Sequence, residues 1–167
     1  MITQAPRGTY DLYGEQVRKW QSIEKTVTRL MEDFHYGEIR TPMFEHTELF
    51  QRGVGDTTDI VQKEMYTFLD KGNRSITLKP EGTAGAARAF LEHKMFADPQ
   101  PTKLYYITPC FLYEKPQAGR DRQFSQFGVE LYGSAEAAAD AEVISIAYEL
   151  LKRLGIHNVT LHINSLG

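Results

Sequence analysis

The sequence predicts an α+β domain, a largely antiparallel sheet flanked by helices, and three observations carry that prediction. Two long strand-like runs, about 104–114 and 122–132, are joined by a basic turn marked by Pro116 and Gly119, which reads as a hairpin. A shorter hairpin is written in Met65-Tyr66-Thr67-Phe68 and Ser75-Ile76-Thr77-Leu78, across the turn Asp70-Lys71-Gly72-Asn73. Helical periodicity is confined to segments outside these hairpins, so the strands are not alternated with helices as in a doubly wound parallel sheet.

The elements follow in order. Residues 15–34 place Val17, Trp20, Ile23, Val27, Leu30, Met31 and Phe34 at spacings of three and four, one face of a long amphipathic helix. Gly37 follows its expected end, and Glu38 to Pro42 reads as extended, with Pro42 excluding a central ladder position. Thr47 to Phe50 opens another helical turn. Gly53-Val54-Gly55 has no third glycine and no preceding strand, so it reads as a loop rather than a phosphate cradle. After the short hairpin, the Thr83 hydroxyl is placed to cap an alanine-rich helix running to about Met95, which the loop Ala97 to Pro101 ends. The long hairpin is followed by a helix from about Ala135 to Leu154, with Val143, Ile146, Ala147, Leu150 and Leu151 on its buried side, stopped by Gly155. Val159-Thr160-Leu161-His162-Ile163 then alternates as a half-buried strand. No repeat or low-complexity tract interrupts this order.

Composition narrows the function classes. A chain of 167 residues buries about two thirds of its unfolded surface as one domain. A hydrophobic share of 41% with 25% charged residues excludes the disordered and membrane classes. A formal charge of -3 argues against a protein that coats nucleic acid, so any RNA contact is expected to be local. Cys110 is the single cysteine, which excludes an internal disulfide and suits a reducing compartment. The amino terminus lacks the apolar core of a signal peptide, and the reading is cytoplasmic with no membrane partner. His35, His46, His93, His157 and His162 are scattered without ligand spacing, so no protein-bound metal is assigned.

Three groups of residues can carry chemistry. In Lys79-Pro80-Glu81-Gly82-Thr83, Pro80 stops a strand ladder and Gly82 permits a tight turn, leaving the Glu81 carboxylate and the Thr83 hydroxyl at a strand-to-helix corner. Such a corner suits an ammonium group, and it suits equally a capped helix with a solvated acid. Gln126 and Glu130, four apart on a strand, share one face. Arg120 and Arg122 flank Asp121 in the turn, where two guanidinium forks can meet phosphates or simply keep a turn hydrated.

The run from Phe111 to Glu130 resembles motif 2 of class II aminoacyl-tRNA synthetases, and with Lys79-Pro80-Glu81-Gly82-Thr83 upstream the whole chain resembles the histidyl-tRNA synthetase family. The resemblance implies that residues 1–167 are the amino-terminal portion of a class II catalytic domain, truncated before motif 3. Motif 1 would lie at about 15–45 and support a homodimer, the histidine-binding segment at 80–83 and motif 2 at about 106–133. Glu81, Gly82 and Thr83 would hold the α-amino group of L-histidine, and Gln126 and Glu130 would pair with the imidazole. Glu114 would accept from the adenine amine and Phe124 would stack on the base, although core packing is the plainer role for a strand Phe. Arg120, Arg122 and Gln126 would be the catalytic set, with Arg120 and Arg122 on the triphosphate or the acceptor end of tRNA-His. The implied reaction joins histidine to the α-phosphorus of ATP, releasing pyrophosphate, and then transfers it to tRNA, with Mg2+ bridging the phosphates.

The family opens motif 2 with Phe-Arg-x-Glu, whereas this chain has Phe111-Leu112-Tyr113-Glu114. Leu112 thus stands where the resemblance expects the ATP-binding arginine, and losing one such donor costs about 3 kcal/mol in the transition state. Lys79 replaces the family's usual Arg, and Asp121 its usual aromatic. The chain alone is therefore expected to be weak or inactive as a histidine-tRNA ligase. The alternative is a silent paralogue, such as the regulatory subunit of ATP phosphoribosyltransferase, that senses histidine. Leu112 and Lys79 favour that alternative; Glu81-Gly82-Thr83 and Arg122-Gln123-Phe124 with Gln126 favour the synthetase. A purely structural docking fragment is a third reading.

Overall fold

The computed structural model describes residues 3–52, 64–115, 117 and 119–164. Helix α1 is Glu15–Asp33, followed by strands β1 (Gly37–Glu38) and β2 (Phe44–His46) and helix α2 (Thr47–Arg52). Strands β3 (Thr67–Leu69) and β4 (Ser75–Leu78) precede helix α3 (Thr83–Glu92), then come β5 (Thr102–Phe111), β6 (Gln123–Tyr132) and helix α4 (Ala137–Arg153). The α+β class holds, but the strands divide into two sheets, ordered β1-β5-β6 and β2-β4-β3. All pairings are antiparallel except that of β1 with β5. Gly53-Val54-Gly55 lies outside the described residues. No described helix is long and apolar enough to cross a membrane.

The register of the long hairpin gives its sheet two unlike faces. Tyr105 pairs with Val129, Ile107 with Phe127 and Lys103 with Leu131, and directly opposed residues point to the same side. On that side Val27, Leu30 and Met31 of α1, Tyr36, Tyr105 and Ile146 of α4 form the core, extended by Phe34 and Leu150. The same face is tied electrostatically, because Lys103 Nζ pairs with Glu142 at 2.8 Å and the Tyr36 hydroxyl donates to Glu142 at 2.9 Å. The opposite face carries Cys110, Thr108, Tyr106, Gln126, Gly128, Glu130 and Tyr132, and α3 packs over it, with Phe90 stacked on Tyr132 at 4.4 Å between ring centroids.

Lys79 stitches the two sheets together. Its N–H donates to the Met43 carbonyl and its carbonyl accepts from Phe111, both at 3.0 Å, so β4 runs directly against β5 where the chain turns into α3. Within the smaller sheet a ladder of hydroxyls crosses the strands, Thr47 to Ser75 and Thr77, and Thr77 to Thr67, at 2.7–2.9 Å.

Several expectations need correction. Gly37 does not turn the chain out of α1; His35 does, at φ 60, while Tyr36 N–H reaches back to the Met31 carbonyl at 2.9 Å. The apolar stripe of α1 buries only in its second half, and Ile23 is exposed. Helix α3 ends at Glu92, before Met95, because Lys94 takes a left-handed conformation and Met95–Ala97 forms a separate 3-10 turn. On α4 only Ile146 is fully buried, and Ala147 is exposed. Val159 to Ile163 is not a strand: Leu161 and Ile163 are exposed, and no described strand pairs with the segment. An alternating pattern needs a neighbour to supply ladder hydrogen bonds, and none of the described strands lies beside this one.

Candidate functional site

The site grows from the corner between β4 and α3. Pro80 and Gly82 are buried there, and Gly82 sits at the N-cap of α3. The Thr83 hydroxyl does not cap the helix. Glu81 does so instead: its carboxylate accepts the backbone N–H of Thr83 at 2.5 Å and of Ala84 at 2.9 Å. A carboxylate at a helix N-terminus satisfies two orphan amides and is favoured by the macrodipole. The cap leaves the Thr83 hydroxyl free to turn toward the sheet, where it meets the Tyr106 hydroxyl at 3.3 Å.

Tyr106 is the hub that the sequence reading missed. Its hydroxyl donates to Glu130 Oε1 at 3.2 Å. Having one proton, it must accept from Thr83. The ring fills a slot bounded by two glycines: a Cβ on Gly82 would lie 2.2 Å from it and a Cβ on Gly128 would lie 2.3 Å away. Gly128 is the register partner of Tyr106, so the glycine inside an otherwise well-filled strand marked a close approach. Burial and the neighbouring Glu130 and Glu81 carboxylates push the Tyr106 phenol well above its ordinary pKa, with the Thr83 bond acting the other way. It is a neutral hydroxyl at physiological pH.

Gln126 closes the other side. Its Oε1 accepts the Gly82 N–H at 2.7 Å, and the Cys110 thiol lies 3.6 Å from the same atom. The carbonyl end is thereby fixed, and its N–H donors make no hydrogen bond among the described residues. Beneath it, Lys79 is 1% exposed, with its Nζ 3.3 Å from the Thr41 carbonyl and 3.4 Å from the Thr41 hydroxyl. Burial lowers the Lys79 pKa, opposed by Cys110 and Glu45, and burial raises that of the Cys110 thiol to about 11. Cys110 is thus an unreactive part of the floor.

Glu114, Arg120, Arg122, Gln126 and Glu130 do not form one neighbourhood. The hairpin tip holds the first three: Arg120 pairs with Glu114 at 3.3 Å, and Arg122 Nε donates to the Glu114 carbonyl at 3.3 Å while its guanidinium lies 4.0 Å from the Tyr113 ring centroid. Glu130 is eight residues away along β6, about 26 Å at strand rise. Leu112 belongs to the tip, its N–H bonded to the Arg122 carbonyl at 3.0 Å, and the strand holding Phe124 begins there, opposite Cys110. The amino-terminal segment braces the tip, since the Gly8 carbonyl accepts from Arg122 and Gln123 at 2.8 and 3.2 Å. Gly8 has φ +83, and a Cβ there would meet Arg122 Cγ at 2.7 Å. No signal within the sequence reading linked Gly8 to Arg122.

Comparison with known proteins gives this arrangement its relatives. The family described as histidyl-tRNA synthetase matches residues 8–167. The chain belongs to the histidyl-tRNA synthetase family. A histidine–tRNA ligase of Thermoanaerobacter pseudethanolicus is 61% identical over all 167 residues, which make up 40% of its length. Among solved structures, the apo histidyl-tRNA synthetase of S. aureus is 46% identical with a TM-score of 0.77, covering 91% of this chain and 35% of that one. A structure titled as an ATP phosphoribosyltransferase regulatory subunit/histidyl-tRNA synthetase, from Bacillus halodurans, is 28% identical with a TM-score of 0.80, covering 94% and 39%. The chain therefore spans about two fifths of the length of the curated relative, and its fold is that of the class II histidyl-tRNA synthetase catalytic domain.

Proposed function

We propose that this chain supplies the histidine-recognising part, and one side of the ATP site, of a histidine–tRNA ligase. The observation that carries the reading is the convergence on Tyr106: the Glu81-Gly82-Thr83 corner and Glu130 both reach it, and Gln126 is tied to the same corner. An acceptor-only carboxylate at Glu130 and an unengaged carboxamide N–H pair at Gln126 match a neutral imidazole, which has one N–H and one bare nitrogen. In this reading Glu81 and Thr83 hold the α-ammonium group. The family's substrates then follow as part of the reading: L-histidine, ATP and tRNA-His, with the motif 1 region of about 15–45 as the face for a second copy. In this reading Glu114, Phe124, Arg120 and Arg122 serve ATP. Mg2+ would arrive on the phosphates of ATP; the described residues bring together no group of three or more His, Cys, Asp or Glu side chains able to hold an ion. The compartment implied is the cytoplasm.

A histidine sensor without ligase chemistry is the second reading. It is favoured by Leu112, which removes the motif 2 cation, and by the likeness to the Bacillus halodurans structure described as a regulatory subunit/histidyl-tRNA synthetase. Both readings require a histidine pocket. Calorimetric titration of the purified chain with L-histidine is expected to give saturable binding that Glu81→Ala abolishes. Absence of binding by the parent chain, or full affinity in the variant, overturns the pocket.

A further inference from the structure

The Tyr132 hydroxyl is buried and has no hydrogen-bond partner among the described residues. Buried polar atoms are almost always paired, so an orphan calls for a reason. Tyr132 lies on the same face of β6 as Gln126 and Glu130, two residues beyond Glu130, with its ring held against Phe90 of α3. Burial raises the Tyr132 phenol pKa most, and the charges of Glu130, Tyr106 and Glu81 add to it; the hydroxyl faces Glu130 but stands outside hydrogen-bond geometry with it. The same carboxylate is already held through Oε1 by the Tyr106 hydroxyl. A carboxylate offers about four lone-pair sites, so Glu130 has room for a ligand N–H and a second phenol. No cation is bonded to Glu130 among the described residues, which leaves hydroxyl donors alone to steady its charge in a partly dry site.

We propose that Tyr132 is a positioning residue for the imidazole-reading carboxylate: when a ligand N–H engages Glu130, the Tyr132 hydroxyl becomes its second anchor, and Tyr106 and Tyr132 together fix its direction. The proposal rests on the histidine-pocket reading above and deepens it, because it adds two positioning hydroxyls behind the Glu130 carboxylate that, with Gln126, reads the ring. The ring of Tyr132 is a packing element through Phe90; the hydroxyl is the recognition element. Removing only the oxygen separates the two roles.

The test is Tyr132→Phe in the purified chain, titrated with L-histidine and with β-(2-thienyl)-L-alanine, which keeps the amino acid head group and a five-membered ring but has no ring N–H. Histidine affinity is expected to fall about tenfold, the scale of one hydrogen bond to a charged group, while thienylalanine affinity is unchanged. The melting temperature of the free variant is expected to stay level or rise, since the variant loses an unpartnered hydroxyl and keeps its ring. Unchanged histidine affinity in the variant overturns the positioning role and leaves the pocket standing. An equal loss for both ligands also overturns it, because that pattern reports a distorted site and not a lost ring contact. If the parent chain does not bind histidine, the pocket reading and this proposal fail together.

Discussion

A tyrosine ring seated where two glycines leave room makes the site a matter of atoms. Because Gly82 and Gly128 would each place a Cβ within 2.3 Å of Tyr106, neither can accept alanine without moving a ring that is itself bonded to Thr83 and Glu130. Gly128→Ala is expected to destabilise the chain by about 2–3 kcal/mol, the scale of overpacking a filled core, read as a lower urea midpoint at an unchanged slope. In a Tyr106→Ala background the same change should cost under about 1 kcal/mol, so the cycle gives a coupling well above the additive limit. Additive costs would show that the ring and the glycine do not compete for space. Glu81 was legible as a fixed carboxylate at a corner, yet the sequence left open whether it capped a helix or met a ligand. It caps α3 through two amides, and its ligand role is a separate claim. Tyr106 was illegible because its importance lies in register: only the pairing with Gly128 reveals what the ring occupies.

At the level of elements, local patterns show where helices and turns form, whereas how much of a helix face is buried, and whether a strand pairs, depends on neighbours the local pattern does not name. The α1 periodicity and the two hairpins were visible because hydrophobic spacing and turn chemistry are local properties. The alternation of Val159 to Ile163 is equally clear, but a ladder needs a second strand, which one segment cannot announce. The tie between α4 and β5 was also silent, since Lys103, Glu142 and Tyr36 are far apart in sequence. The Lys103 hydrogen bond, with help from Tyr36, holds the Glu142 carboxyl below the usual range, against a desolvation penalty. A carboxylate lowered in the folded state stabilises above its unfolded pKa, about 4.3, and loses that contribution as pH falls through its lower folded value. Glu142→Gln is therefore expected to lower the melting temperature at pH 7, by the equivalent of roughly 1 kcal/mol for a partly exposed pair, and to match the parent near pH 2. A gap that persists unchanged at pH 2 would show that the charge is not the source.

For the molecule as a whole, the two ends of the long ribbon do different work. One stretch of it gathers Glu81, Thr83, Gln126 and Glu130 around Tyr106, whereas the tip holds Glu114, Arg120 and Arg122, with Arg122 about 13 Å from Gln126 and about 26 Å from Glu130 at strand rise. At that tip the two guanidinium groups are occupied, Arg120 by the Glu114 carboxylate and Arg122 by the Tyr113 ring and the Glu114 carbonyl. Leu112 sits between the strands at the same level and contributes no charge. If the ligase reading is right, adding a cation there should restore transition-state stabilisation and leave the amino acid pocket alone, because Leu112 pairs with Arg122 before β6 begins and makes none of the bonds that join Glu81, Thr83, Gln126 and Glu130 to one another and to Tyr106. Leu112→Arg is expected to raise histidine-dependent ATP–pyrophosphate exchange by about a hundredfold over the parent chain, the scale of one charge-stabilising donor. Histidine affinity, measured without ATP, should change less than twofold. Exchange that stays at background in the variant, with histidine binding intact, would favour the sensor, because a pocket that binds histidine without accelerating its adenylation is what a regulatory protein requires.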